Sequence, residues 1–532
     1  MLIDARAAEN TTLECDLCVV GAGPAGIAIA DRLRESGLSV VLVESGGFGL
    51  ELPTQRLYHG DIQGADYFRL DACRWRLFGG SSNRWGGWCR PLEPIDFTRR
   101  AWLPFSGWPI SATDLQPYYA DTAKLFELTT AAFDLASWRG RLPAPLALED
   151  TSFGNALFQF SSETNFGEVY RERLLTAKNI RIMIHANLRD IVLEKGSRRV
   201  GALLISTLNG RSITVRPKAV VLAAGGIENA RLLLASKSDH PAGLGNEFDR
   251  VGRFFMEHLH VPVGHLLAAP GLELSSFYRK AFYGDAQLRG VITPCASAMN
   301  QNQLMGTSIA IEPSRYSFGT PFVGWPPSVT FGPVRRYKQW RKGHLKSVAE
   351  RLKHAADQLQ AIPNKIRTSS LARSAKNRAD SGIPYEQVFS LYFRAEQAPA
   401  PANRVVLTER LDALGMPRSR LRWNVNPVDR ANILGWLNHF DRDMRRRGFG
   451  HVVPPPDDWD RHIIGGPHHM GTTRMAADPR TGVVDAQCRV HSVDNLYIAG
   501  SSVFTTGGYA NPTFTLVALA LRLADRLKKL HT

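Results

Sequence analysis

Near the C-terminal end of this 532-residue chain, two side chains have the chemistry to act together on one small molecule. His468 lies in Pro467-His468-His469-Met470-Gly471-Thr472-Thr473-Arg474, and Asn511 lies 43 positions on, before Pro512-Thr513. A histidine, with an unperturbed pKa of about 6.5, can take a proton at working pH. An amide beside it can hold the atom that the proton leaves. Between them, Asn495-Leu496-Tyr497-Ile498-Ala499-Gly500 is an apolar run that breaks on glycine, the form of a buried strand feeding a turn. Asn511 also has a rival role. Pro512 to Leu530 reads as a helix with proline in its first turn, and asparagine is a common helix cap.

A base and an amide need a reaction partner, and the opposite end of the chain points to one. Cys15 to Val20 reads as an apolar strand, followed by Gly21-Ala22-Gly23-Pro24-Ala25-Gly26 and a helical run to Gly37. A second strand from Leu38 to Val43 ends at Glu44. Gly21 permits the tight turn, Gly23 lets backbone approach a pyrophosphate, and Gly26 allows close helix–strand packing. The helix N-terminus favours the negative charge. Glu44, 18 residues after Gly26, is placed to accept ribose hydroxyls. The pattern specifies a dinucleotide and leaves NAD and FAD open.

More ligand-facing backbone is expected at 73–92. There the pairs Gly79-Gly80 and Gly86-Gly87 bracket Ser81, Ser82, Asn83, Arg84 and Trp85. Paired glycines allow close approach, and Ser and Asn can bond a flat heterocycle or a phosphate. Val220 to Ala224 reads as a buried parallel strand that meets Gly225-Gly226 and a helix over 228–235, a second junction of the same kind. Ala224 and Gly225 there, Gly500 and Ser501 after the C-terminal strand, and Pro512 and Thr513 on the last helix are expected to complete the cofactor contacts. Short β-like runs at 180–184, 191–193, 201–206 and 213–215, and again between 382 and 425, fill the intervals.

A chain of this length needs more than one structural unit. Its 44% hydrophobic and 21% charged residues are ordinary for a globular protein. The net charge of +16 is less ordinary, and residues 335–378 hold 13 Lys and Arg against two acids. Leu345, Val348, Leu352, Ala356 and Leu359 recur there at helical spacing, opposite Lys346, Arg351 and Lys353. This predicts a basic amphipathic helix that packs on its own domain, lies on a membrane surface or docks an acidic protein partner. Nothing in the pattern supports a nucleic-acid partner. Cys15 and Cys18 form a CxxC, but strand alternation predicts opposite faces, so neither a metal site nor a redox pair is expected. Six scattered cysteines, no signal-like N-terminus and no apolar run of about 20 residues lead to the expectation of a cytoplasmic protein.

With these motifs in order, the chain resembles the glucose–methanol–choline (GMC) family of FAD-dependent oxidoreductases over nearly its whole length. The resemblance is carried by the glycine fingerprint ending in Glu44, the 79–87 loop, Ala224-Gly225-Gly226-Ile227-Glu228-Asn229, Gly252-Arg253-Phe254-Phe255-Met256, and the His468-to-Thr513 stretch. It looks most similar to the bacterial sugar dehydrogenases and pyranose oxidases of that family. The resemblance implies an α/β and α+β architecture. A Rossmann-like FAD domain would span 1–265 and 451–532, with insertions around 93–180, and a mostly antiparallel sheet-plus-helix substrate domain would span 266–450. It implies that His468, not His469, is the active-site base and that Asn511 is the second active-site residue. Arg84 stands where some pyranose oxidases carry the histidine that attaches FAD, which implies a non-covalent cofactor. The implied reaction is oxidation of an alcohol group of a sugar, glycoside or polyol by hydride transfer to flavin N5, with oxygen, a quinone or a cytochrome as electron acceptor. A non-redox flavin lyase of the same fold, or a membrane- or partner-bound flavoprotein acting on a lipid or natural-product alcohol, are the alternatives.

Overall fold

The computed structural model describes residues 1–8, 11–161, 165–238, 240–272, 274, 276–313 and 387–531. The basic segment 335–378 lies outside the described residues. Two sheets dominate, and each has its own logic.

The first sheet has eight strands. Leu2–Asp4, Ile180–Ile184, Val40–Val43, Thr12–Val20 and Ser212–Leu222 run parallel in that spatial order. Every residue of Val40–Val43 is buried, as a parallel strand covered on both faces requires. Two runs read separately from the sequence, at 213–215 and 220–222, are one long strand. Its first part pairs antiparallel with Val200–Ser206, and its last three residues pair in parallel with Leu496–Ile498. The C-terminal stretch therefore returns to the nucleotide sheet. The turn after Thr12–Val20 leads into the helix Pro24–Leu33, against which the last helix, Pro512–His531, packs. A Cβ at Gly26 would sit 1.9 Å from the Gly21 carbonyl oxygen, so only glycine allows that helix so close to the turn.

One expectation fails on this sheet. The Asp16 and Leu17 N–H groups both donate to the Ser39 carbonyl, at 3.0 and 3.1 Å. This shared acceptor lies between the two cysteines, where pairing with Val40–Val43 begins. The Cys18 thiol meets Cys15 instead of facing away from it, and that contact, with burial, raises its pKa. Both thiols are free.

The second sheet has nine strands and is antiparallel. Its middle is the ladder of His258–Ala268 with Gln387–Glu396, continued by Thr307–Pro313, Ala286–Pro294 and Phe153–Phe160. The helix Pro427–Arg446 lies behind it, begun by a capping box of Asn426 and Asp429. Phe153 meets Trp436 and Phe440 edge-on at 5.5 Å from each. A third, small sheet joins Arg404–Leu411, Pro417–Trp423 and Asp61–Gly64. The architecture is thus the expected α/β and α+β combination.

The ladder's register positions the chemistry. His258 stands opposite Glu396, and His260 opposite Arg394. Because alternate residues share a face, these four side chains belong to one side of the sheet. Backbone bonds between Met256 and Met470, at 3.0 and 3.1 Å, pin the start of this strand to the His468 segment.

Candidate active site

A cavity of about 1180 Å³ runs from the glycine turn of the first sheet to the His258–Ala268 edge of the second. Most residues expected to touch the cofactor line it. Gly21, Gly23 and Glu44 do so at one end, and Ala224, Gly225, Gly500 and Ser501 do so along the strand ends. Gly80, Ser81, Asn83, Trp85 and Gly86 come from the loop, and Pro512 and Thr513 from the last helix. Gly26 and Gly79 are not on the wall. Gly26 serves the packing described above. Gly79, at φ 91°, shapes the loop by donating its N–H to the Ala22 carbonyl at 2.7 Å.

These residues fit a dinucleotide. A Cβ added at Gly23, Gly225 or Gly500 would meet nothing within 4 Å, so the three glycines leave open space for a ligand. The Pro24–Leu33 helix has no side-chain cap and no acid in its first turn, leaving its N-terminal N–H groups for an anion. Glu44 accepts the Ala22 N–H at 2.9 Å and the Gly46 N–H at 2.8 Å, which aims the buried carboxylate beside the turn. Arg84 lays its guanidinium 5.2 Å from the centre of the Trp75 ring.

At the far end, His468 and Asn511 meet: the Asn511 amide nitrogen lies 3.0 Å from His468 Nε2. His468 Nδ1 is 2.9 Å from His258 Nδ1, and His258 Nε2 is 3.2 Å from the Gly507 carbonyl oxygen. Burial holds His258 down to about 4. Burial, then the nearby His258, His260 and Arg394, holds His468 well below its usual range. With both rings neutral, the protons have one consistent arrangement. A carbonyl can only accept, so His258 carries its proton on Nε2 and presents a bare Nδ1. His468 must then donate from Nδ1, which leaves Nε2 bare and accepting from the Asn511 amide. These hydrogens are assigned from the network. Among the described residues nothing bonds Asn511 Oδ1, so the alternative role of capping the last helix is not taken up.

His469 does other work. It is buried with Phe255 and Tyr67, its Nε2 is 3.7 Å from Glu257, and burial lowers it to about 3. Its carbonyl accepts the Ser501 hydroxyl at 2.7 Å.

Sequence reading missed Glu257, His258, His260 and Arg394. One Glu257 oxygen accepts the N–H groups of Gly466 and His468, at 3.0 and 2.8 Å, and so fixes the backbone that presents the His468 ring. Its other oxygen bonds the Tyr67 hydroxyl. Burial pushes Glu257 up to about 7 against these hydrogen bonds. The signals were present: Glu257-His258-Leu259-His260 follows a noted motif with both histidines on one face, and Arg394 is a lone charge in the apolar run Leu391-Tyr392-Phe393-Arg394-Ala395.

Comparison with known proteins agrees with this geometry. The family model for FAD dependent oxidoreductases matches residues 16–263, and that for GMC oxidoreductases matches residues 399–520. A 2-methyl-1,2-propanediol dehydrogenase of Mycolicibacterium austroafricanum is 23% identical, over 97% of this chain and 95% of its own. A 6'''-hydroxyparomomycin C oxidase of Streptomyces lividus is 24% identical, over 95% of this chain and 90% of its own. The fold is similar to that of pyridoxine 4-oxidase from Mesorbium loti, with a TM-score of 0.54 and 16% identity over 96% of this chain and 99% of the other. A nucleotide sheet, a second antiparallel sheet and a cavity between them define an FAD-dependent oxidoreductase. Its C-terminal part matches the GMC oxidoreductase model, and the chain is similar to the proteins of that family.

Proposed function

We propose that this enzyme oxidises an alcohol group of a polyol, sugar or glycoside to a carbonyl, with His468 as the base. The observation that carries the reading is the bare Nε2 of His468, backed by His258 at 2.9 Å and flanked by Asn511 at 3.0 Å on the cavity wall. The hydroxyl of the substrate donates to Nε2, and the Asn511 amide N–H turns to the same oxygen. As the proton passes to Nε2, the C–H bond of the carbinol carbon breaks heterolytically and a C=O forms. FAD supplies the hydride acceptor. It would be held by Gly21, Gly23 and Glu44 at the dinucleotide end and by Gly225, Ser501 and the Pro512 helix at the flavin end, without a covalent bond. Two fixed groups on one oxygen limit its rotation, which is how position lowers the barrier. The names of the relatives above, a diol dehydrogenase and an aminoglycoside oxidase, support an alcohol substrate.

The test is an anaerobic screen of alcohols and sugars that follows bleaching of the flavin band, with reoxidation by air or by a dye to separate oxidase from dehydrogenase. Replacing His468 with Ala should leave FAD bound and slow flavin reduction at least about 100-fold. An unchanged reduction rate would remove His468 from the mechanism.

A further inference from the structure

Three arginines gather at the antiparallel sheet, and among the described residues two of them pair with carboxylates. Arg100 forms a two-pronged pair with Glu396, at 2.6 and 2.8 Å. Arg289 pairs with Glu312 at 2.6 Å. Arg394, two residues before Glu396 on the same strand face, has its backbone in the ladder, but its guanidinium reaches no carboxylate among the described residues; Glu312, the acid whose charge it feels, is paired with Arg289. Its guanidinium lies 3.9 Å from the centre of the Trp88 ring and lines the cavity. Removal from water, with Arg289 nearby, lowers its pKa to about 9. A desolvated cation on an aromatic face is partly compensated, but its fork of donors stays unfilled.

The surroundings add to that charge. Lys280 also lines the cavity, with its ammonium 4.1 Å from the centre of the Phe160 ring, and Phe160 packs on Trp88 at 4.7 Å. The acids of the wall are elsewhere. Glu44 sits at the glycine turn, Glu228 is held by Arg74, Arg76 and Arg231, and Glu168 is exposed on the short helix Phe166–Val169. The cofactor's pyrophosphate belongs at the Gly21–Gly26 turn on the other sheet, so it does not answer Arg394. His260 stands opposite Arg394, and its ring is 5.9 Å from that of His468. Opposed side chains across antiparallel strands lie about 5 Å apart. An anion on Arg394 is therefore several bonds away from a carbinol carbon at His468.

We propose that Arg394, helped by Lys280, is the anion-recognition point of the substrate pocket, so that the alcohol oxidised carries a carboxylate or a phosphate. A sugar acid, a phosphorylated sugar or an acidic glycoside meets this description. The guanidinium binds such a group through two parallel N–H···O bonds, and the same charge disfavours an aminated sugar. The proposal rests on His468 marking the reacting end.

Two measurements on the FAD-loaded enzyme test it. In anaerobic stopped flow, D-glucuronate and glucose 6-phosphate should reduce the flavin with an efficiency at least about 30-fold above D-glucose, with D-glucosamine the poorest. Carboxylate and phosphate sources are separated by which of the two leads. Arg394→Gln should collapse the ratio through a higher Kd, and Arg394→Lys should keep part of it. Equal efficiency for glucose and the acids, or a ratio that survives in Arg394→Gln, overturns the proposal. The second measurement is independent of turnover: titration with acetate and with inorganic phosphate, read as a flavin difference spectrum. Wild type should bind one of them at least about 30-fold more tightly than Arg394→Gln. No binding by wild type, or equal binding by the variant, overturns the proposal. Anion binding without bleaching by any alcohol supports the subsite and instead sinks the alcohol-oxidation reading.

Discussion

In the mechanism proposed, His258 acts on the reaction without touching the substrate, because it decides where the proton of His468 resides. Its own Nε2–H is committed to the Gly507 carbonyl, so its Nδ1 can only accept, and His468 is left with Nε2 free to act as a base. A partner that fixes the tautomer of a working histidine is worth a large part of its activity. His258→Ala should therefore slow flavin reduction at least about tenfold, and His258→Asn, whose amide oxygen can accept the same proton, should restore most of it. A change of packing alone would not move the pH profile, and this variant should. The base works when neutral, so the rate falls as pH drops through its pKa. In the wild type that limb lies well below 6.5, since burial, then the neighbouring His258, His260 and Arg394, holds His468 down. In His258→Ala, with one such neighbour lost, it should move up toward 6.5. A variant whose rate and acid limb both match wild type would show that His258 sets nothing.

The strands and turns around these residues differ in how openly the sequence announces them. The glycine turn, the strands at 180–184 and 220–222 and the helix Glu228–Ala235 rest on neighbours within a few residues, and all were readable. The pairing of His258–Ala268 with Gln387–Glu396 joins residues more than a hundred positions apart, and no local pattern encodes it. His468 and Asn511 were named from motifs that carry a family resemblance, whereas His258 and Arg394, visible as polar residues in apolar runs, take their place at the site only through this pairing. The CxxC was misread because alternation along one strand sets its two thiols apart, whereas Cys18 meets Cys15. The same ladder carries a buried pair that locks the segment around Arg100 to the second sheet. Arg100 and Glu396 are 1% and 0% exposed, and Glu396 also accepts the Gly306 N–H at 3.0 Å. Removing one partner strands the other's charge, at a cost of about 3–5 kcal/mol. Arg100→Met should lower the melting temperature accordingly, whereas the double change Arg100→Met with Glu396→Leu should recover much of the loss. A single variant as stable as the wild type would mean that the pair contributes little to holding this segment.

Across the whole molecule, the buried titratable groups make stability fall as pH drops below neutral. His258 and His469 are held down to about 4 and about 3, and His260 and His468 lie well below 6.5, all chiefly by burial. Their depressed pKa values contribute stability that is present above the unfolded value of 6.5 and is lost as pH falls below it. Glu257 and Asp429 run the other way, pushed up by burial to about 7 and about 6. Their contribution is present at low pH and is lost as pH rises through those values. Near pH 5 the unfolded chain holds about four protons on these histidines, while the folded chain holds about two on the acids. The difference, near two protons, costs about 3 kcal/mol of stability per pH unit at its steepest. Above pH 7 the unfolded histidines and the folded Glu257 lose their last protons together, and the slope fades toward zero. Thermal melts of the FAD-loaded enzyme at constant ionic strength should therefore fall steeply below pH 6.5 and level off just above pH 7. Glu257→Gln, which keeps an oxygen for the Gly466 and His468 N–H groups but cannot ionise, should steepen the acid side, because the folded chain loses one of the two protons that offset the histidines. A melting temperature that stays level from pH 6.5 to 5 would mean that these histidines reach solvent and protonate without unfolding, and the tautomer argument for His468 would fail with it.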